Sequence, residues 1–246
     1  MPSPQAQALT RQFQQQVLNV AELIARRLRI TALRADVANI DDWWERISPQ
    51  VQREILTGHT ALARLARGYL AQHAALEGVA LAPVIIEPDP EQVATALRVS
   101  GPVAFKTQMA ISGSEAAATR VMASQLQGAA TRLVLEGDRQ TTMRTFTERG
   151  EVEGWRRVAG RSSPCPFCLM LIGRGAVYSK QSARFQSHDR CSCKPELLYR
   201  HEPEPPEIRR LQEQWYTATA GHSGKAAVDA WRQFVAGQRT PGEGAP

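Results

Sequence analysis

Aromatic residues make up only 6% of this 246-residue chain. Ala, Leu, Gln and Arg are plentiful instead, a balance that favours helices over a sheet-rich fold. No apolar run approaches the roughly 20 residues needed to span a bilayer, so no membrane partner is expected. The N-terminal stretch MPSPQAQALTRQFQQQ has neither the basic n-region nor the apolar h-region of a secretory signal. The chain is therefore expected to stay in the cytoplasm where it is made. Also missing are an internal repeat, a Gly-x-Ser-x-Gly elbow and a His-Glu-x-x-His helix, so neither common hydrolase signature is available. Cysteine is scarce, with four residues, and nothing in the N-terminus sends them to a compartment where disulfides persist.

What is present predicts a mainly α protein. Residues 1–77 read as an N-terminal helical pair. In the first helix, Phe13, Val17, Val20, Ile24 and Leu28 recur at spacings of three and four, one face of a helix. Asp41, Asp42, Trp43 and Trp44 predict a turn and helix start. Ser48-Pro49 then opens the second long helix, with Val51, Ile55, Leu62, Leu65 and Tyr69 as its stripe. Residues 78–147 form a hinge and an Ala-rich helical region, with a short strand at Leu81 to Ile86 and a helix at Glu91 to Val99. Breaks are expected near Gly113 and Gly137. Residues 148–200 hold a small α+β module stapled by cysteines. Residues 201–246 bring a Pro-rich linker, short helices at Glu207 to Ala218 and Lys225 to Ala236, and a tail.

The four cysteines lie within 29 residues, as Cys165-Pro-Phe-Cys168 and His188-Asp-Arg-Cys191-Ser-Cys193. A two-residue separation lets both thiolates of a knuckle face one ion while backbone amides donate to sulfur. A thioredoxin-like redox site expects a βαβ setting that Trp155 to Tyr178 does not supply. Zinc is the expected cofactor, because thiolate-rich tetrahedral sites select it in a reducing cytosol. The preferred ligands are Cys165, Cys168, Cys191 and Cys193, with His188 replacing one of them or standing behind them. Spacing alone leaves open which four of the five bind. Gly154 to Val158 predicts a strand into the first knuckle, Leu169 to Ile172 a helical turn, and Ala176-Val-Tyr178 a return strand. A module this small gains from a metal staple, since burial alone cannot support it.

The basic excess belongs to the same region. Residues 139–200 carry 12 Lys or Arg against 5 Asp or Glu, whereas the rest of the chain carries 18 against 19. Such a module suits phosphate backbones or an acidic protein surface. The candidate contacts are Arg156, Arg157, Arg161, Arg174, Lys180, Arg184, Arg190 and Lys194. A solvated surface of the module is the competing reading.

Trp155-Arg-Arg-Val-Ala-Gly160, Ser163-Pro-Cys-Pro-Phe-Cys168, Arg174-Gly-Ala-Val-Tyr178 and His188-Asp-Arg-Cys191-Ser-Cys193 together resemble the Mu protein F-like minor head proteins of tailed bacteriophages. The versions in phages and prophages of actinobacteria are the nearest likenesses. The resemblance covers roughly residues 140–200. It implies a structural part in the head, with the portal and major capsid proteins as partners, packaged DNA as a further one, and self-association as another expectation. It also implies a path from host cytoplasm to virion head. Many members carry the label capsid maturation protease, which implies an enzyme. The residues lend that label little, because His188 and Asp189 are adjacent and an extended chain turns neighbours to opposite sides. The alternative readings are that protease and a basic zinc module that binds nucleic acid.

Overall fold

The computed structural model describes residues 2–176, 184–201 and 203–238. The described residues bear out the mainly α class: long helices, a two-stranded sheet, and a cysteine cluster beside it. Helix α1 spans Pro4–Leu33 and starts on Ser3, whose side chain accepts from the Ala6 amide, with Pro4 at the first helical position. Helix α2 spans Ile40–Leu76 with Asp41 and Asp42 in its first turn, where their charge suits the helix dipole. It runs straight through Pro49, so the predicted start at Ser48-Pro49 is corrected. Trp43 and Trp44 are buried and begin the stripe about two turns earlier than Val51, and that burial outweighs one missing amide.

Helix α3, Pro90–Arg98, is capped by Asp89, which accepts from the Glu91 and Gln92 amides. A π-helical turn at Val99–Val103 leads into α4, Ala104–Ser112, which ends on left-handed Gly113. The stretch predicted as a strand at Leu81 to Ile86 belongs to no ladder. The Val84 amide is satisfied instead by the Thr145 hydroxyl at 3.0 Å.

Helix α5, Glu115–Glu148, is the centre of the fold and packs against α1, α2 and α4. No break occurs at Gly137. A Cβ there would lie 2.1 Å from the His59 carbonyl oxygen of α2, so this glycine exists to let two helices touch. The predicted break is thus a contact point. Ile55, Leu62, Leu70, Met122 and Val134 fill the interface with no exposed surface. Each such side chain contributes about 1.5–3 kcal/mol by leaving water.

The small module packs against α5 and also meets α1 and α2, where Glu196 accepts from the Thr10 hydroxyl at 2.9 Å and Lys194 lies over the Phe13 and Tyr69 rings. Strand β1, Gly154–Val158, pairs antiparallel with β2, Lys194–Leu198, in the register Trp155 to Leu197 and Arg157 to Pro195. Both strands are edges, which is why Pro195 is tolerated. Trp155 and Leu197 join the main core beneath α5. The return strand expected at 176–178 falls largely outside the described residues. Helix α6, Pro166–Gly173, is followed by α7, Pro206–Ala218, and α8, Gly224–Gln238, and both pack on it. The Trp231 indole donates to the Pro166 carbonyl at 2.7 Å, pinning α8 beside the first knuckle. No helix among the described residues is long and apolar enough to cross a membrane.

Candidate metal centre

The local folding of the first knuckle follows from its sequence. Cys165 is the N-cap of α6, and Pro166 occupies the first helical position, where its missing amide costs nothing. In that conformation the Cys168 amide donates to the Cys165 sulfur at 3.4 Å. This is the amide-to-sulfur bond that the spacing predicts. The second cluster enters through a tight turn in which the Cys191 amide donates to the His188 carbonyl at 3.0 Å. The ring of His188 is oriented by its own backbone. Its Nδ1 lies 2.7 Å from the Asp189 carbonyl oxygen, which can only accept, so Nδ1 carries a proton and Nε2 faces the sulfurs.

The structure brings all five candidate ligands together. His188 Nε2 is 3.1 Å from Cys165 Sγ and 3.6 Å from Cys168 Sγ, and Cys168 Sγ is 3.6 Å from Cys191 Sγ. The donor atoms form two triads, Cys165–Cys168–His188 and Cys168–Cys191–Cys193, each with its atoms within 4.8 Å of one another. Cys168 belongs to both. A tetrahedral ion with bonds of about 2.3 Å to sulfur separates its ligand atoms by about 3.8 Å. The observed separations of 3.1–3.6 Å lie a little below that edge, so the donor atoms are close enough to hold one metal ion between them. His188 turns its Nε2 toward the Cys165 and Cys168 sulfurs.

The four thiols divide into two that are favoured as thiolates, Cys165 and Cys191, and two that are pushed up, Cys168 and Cys193. Hydrogen bonding from Cys168 and then from His188 pulls the Cys165 thiol down to about 4, against the opposing effect of burial. Hydrogen bonds from Cys168 and Cys193, with the Arg139 charge nearby, hold Cys191 far below its ordinary value. His188 is raised to about 9, first by its contact with Cys165. Cys168, surrounded by the other sulfurs, is pushed strongly up and keeps its proton when no cation is present. One dication in the middle removes that conflict, because it favours all the thiolates at once.

Two buried arginines brace this arrangement, one from α5 and one from within the module. Arg139 of α5 is 1% exposed, and it donates through Nε to the Cys193 carbonyl at 3.1 Å and through Nη2 to the Cys191 carbonyl at 2.5 Å. Arg157 of β1 reaches the Cys191 sulfur at 3.9 Å and stacks its guanidinium 3.9 Å from the Phe185 ring centroid. Gly160 completes the fit, since a Cβ there would lie 2.0 Å from the Ser192 carbonyl oxygen.

The predicted contact residues divide into distinct groups. Arg157 and Lys194 are each 2% exposed, so the expectation that they meet an outside phosphate is corrected. Lys194 instead points into the core, 3.8 Å from the Tyr69 ring centroid, 3.9 Å from that of Phe13 and 4.0 Å from Asp138. Arg156 pairs with Glu196 at 2.6 Å. Arg161, Arg174 and Arg184 are exposed and Arg190 is half-buried. Lys180 lies outside the described residues. Arg139 was not among the sequence candidates, and its position in the middle of an Ala-rich helix carries no signal that it turns inward.

The VG15 protein family matches residues 4–218. The chain belongs to the VG15 protein family. Membership implies a phage-encoded protein, and the match covers the helical body and the cysteine module as one unit. No curated protein and no solved structure matches the chain.

Proposed function

We propose that this VG15 protein is a minor component of the head of a tailed phage or prophage, placed near the portal, in which one zinc ion staples the cysteine module. The observation that carries the reading is the close-set five-donor cluster inside a phage-family chain. The ion would be held by four of Cys165, Cys168, His188, Cys191 and Cys193. It would supply electrostatic cross-linking between α6 and the turn that feeds β2. The Mu protein F-like motif pattern supports the assignment to the head. The portal and major capsid proteins are the proposed partners, and the proposed route runs from host cytoplasm into the virion.

The contacts of His188 favour a staple over a protease. Its Nε2 is directed at the Cys165 and Cys168 sulfurs, while the neighbouring Ser187 hydroxyl donates to Glu136 at 2.8 Å. A serine nucleophile needs the imidazole for itself. Quantitative mass spectrometry of proheads and mature virions, from wild-type phage and from a deletion of this gene, tests the proposal. A few intact copies per particle, with capsid-protein processing unaltered by the deletion, are expected. Loss of capsid-protein cleavage on deletion overturns the reading in favour of the protease.

A further inference from the structure

The basic charge of the cysteine module has been partly withdrawn from the surface. Arg139, Arg157 and Lys194 are buried, and Arg156 is paired with Glu196. Of the module's remaining basic residues, Arg161 and half-buried Arg190 face a cleft shared with α1. A cleft of about 490 Å³ lies between α1, α5 and the module, lined by Arg26 and Arg29 on one bank and Arg161 and Arg190 on the other. Glu22 is the single acidic group in the lining, and it pairs with Arg161. Gln127 and Thr131 of α5 form a polar floor. Two of the four arginines come from α1, outside the segment where the sequence concentrates positive charge.

The second bank is built with some care. Arg190 is the only described non-glycine residue with a positive φ, at 64°, a conformation unfavourable for an L-residue. The strain is held by what surrounds it. Its guanidinium donates to the Ser124 side chain and, at 3.3 Å, to the Ser124 carbonyl. The preceding Asp189 pairs with Arg132 at 2.8 Å. His188 and Cys191, on either side of this pair, are metal-ligand candidates. The metal centre and the groove are therefore one construction, in which closing the cluster sets Arg190 opposite Arg26 and Arg29.

We infer that this cleft is an anion site that takes the phosphodiester backbone of double-stranded DNA without reading its sequence. The inference deepens the phage-head reading by naming a second partner for the same module. Arg26 and Arg29 offer guanidinium forks that suit phosphate oxygens, and Arg161 and Arg190, held by Glu22 and Ser124, add positive charge on the opposite bank. Ala25 is the only apolar residue in the lining, so the cleft lacks the buried apolar anchor that a protein partner's hot spot uses. It also has no aromatic residue on which an unpaired base could stack, which favours a duplex over a single strand.

Fluorescence anisotropy of a labelled DNA duplex of arbitrary sequence, titrated with the zinc-loaded full chain across a salt series, tests this. The variant R26E/R29E changes two exposed positions on α1, and the milder R26A/R29A guards against loss of folding; circular dichroism and zinc content check both. Wild-type protein is expected to bind with a steep salt dependence. R26A/R29A is expected to weaken binding about tenfold and lower the log–log salt slope by about 2. The control R209E/R210E on α7 is expected to bind as wild type. Failure of the wild type to bind, or unchanged binding by both α1 variants, overturns the inference. Equal competition by polyglutamate of matched charge overturns it too, in favour of an acidic protein segment. The assay uses no virions, so its outcome is independent of whether the protein resides in the head.

Discussion

Replacing Arg139 with Met should loosen the cysteine module from α5 without touching a metal ligand. The side chain is 1% exposed and donates to two carbonyls, those of Cys193 at 3.1 Å and Cys191 at 2.5 Å. Met fills a similar length but donates nothing, so both carbonyls lose their partner in a buried setting. Each unsatisfied acceptor costs about 1–3 kcal/mol. Relief of the arginine's own burial offsets part of this, which leaves a net loss of about 3 kcal/mol. For a chain of this size that corresponds to a fall in Tm of roughly 6–12 °C. R139K should recover less than half, because one ammonium cannot span both carbonyls as a planar fork does. Urea denaturation of the zinc-loaded chain measures the loss, and the rate of zinc transfer to a chelator should rise in parallel. A loss below about 1 kcal/mol for Arg139→Met, or wild-type stability for R139K, would refute the reasoning.

Three further outcomes are expected. Cys168 belongs to both donor triads, so Cys168→Ser should abolish zinc retention, whereas Cys193→Ser or His188→Gln should leave a weaker site; metal per chain after gel filtration distinguishes them. Gly137→Ala should destabilise the chain by about 2 kcal/mol or more, since its Cβ would lie 2.1 Å from backbone. Gly150→Ala, with nothing within 4 Å, is the control, and thermal melts compare the two. Burial lowers Lys194 to about 8, with Asp138 and Glu196 only partly opposing it. The unfolded chain then binds more protons between that value and the ordinary lysine range. The contribution of Lys194 to stability accordingly rises with pH from about 8 toward 10 and is flat below. The urea midpoint of the wild type should rise relative to that of Lys194→Met as pH increases across that window, and a constant separation would count against it.

Much of this was legible in the sequence where the signal is short-range. The cysteine and histidine spacing gathers its ligands within a few residues, and the structure places all five together. The α1 stripe from Phe13 to Leu28 is a helix with Phe13, Val17 and Leu28 buried. What escaped depends on distant partners. Gly137 resembles a helix breaker until His59 is seen beside it. Pro49 resembles a helix start because nothing local says that Trp43 and Trp44 already pack. Strand β2, Lys-Pro-Glu-Leu-Leu, shows no alternation, because all five of its residues are buried. The same long-range logic hid the direction of the charges. Arg157 and Lys194 read as surface cations in a basic segment, yet they point into sulfur and aromatic partners, and Arg139, which gave no signal at all, turns to the Cys191 and Cys193 carbonyls. Arg26 and Arg29 lie far from that segment in sequence, and only the folded chain sets them opposite Arg190.

The most direct test of the metal centre is elemental analysis combined with native mass spectrometry of the full chain, purified without chelator, before and after thiol titration. One zinc per chain is predicted, with the four cysteines unreactive until a chelator is added and fully reactive afterwards. A metal-free chain whose thiols all react at once would contradict the account.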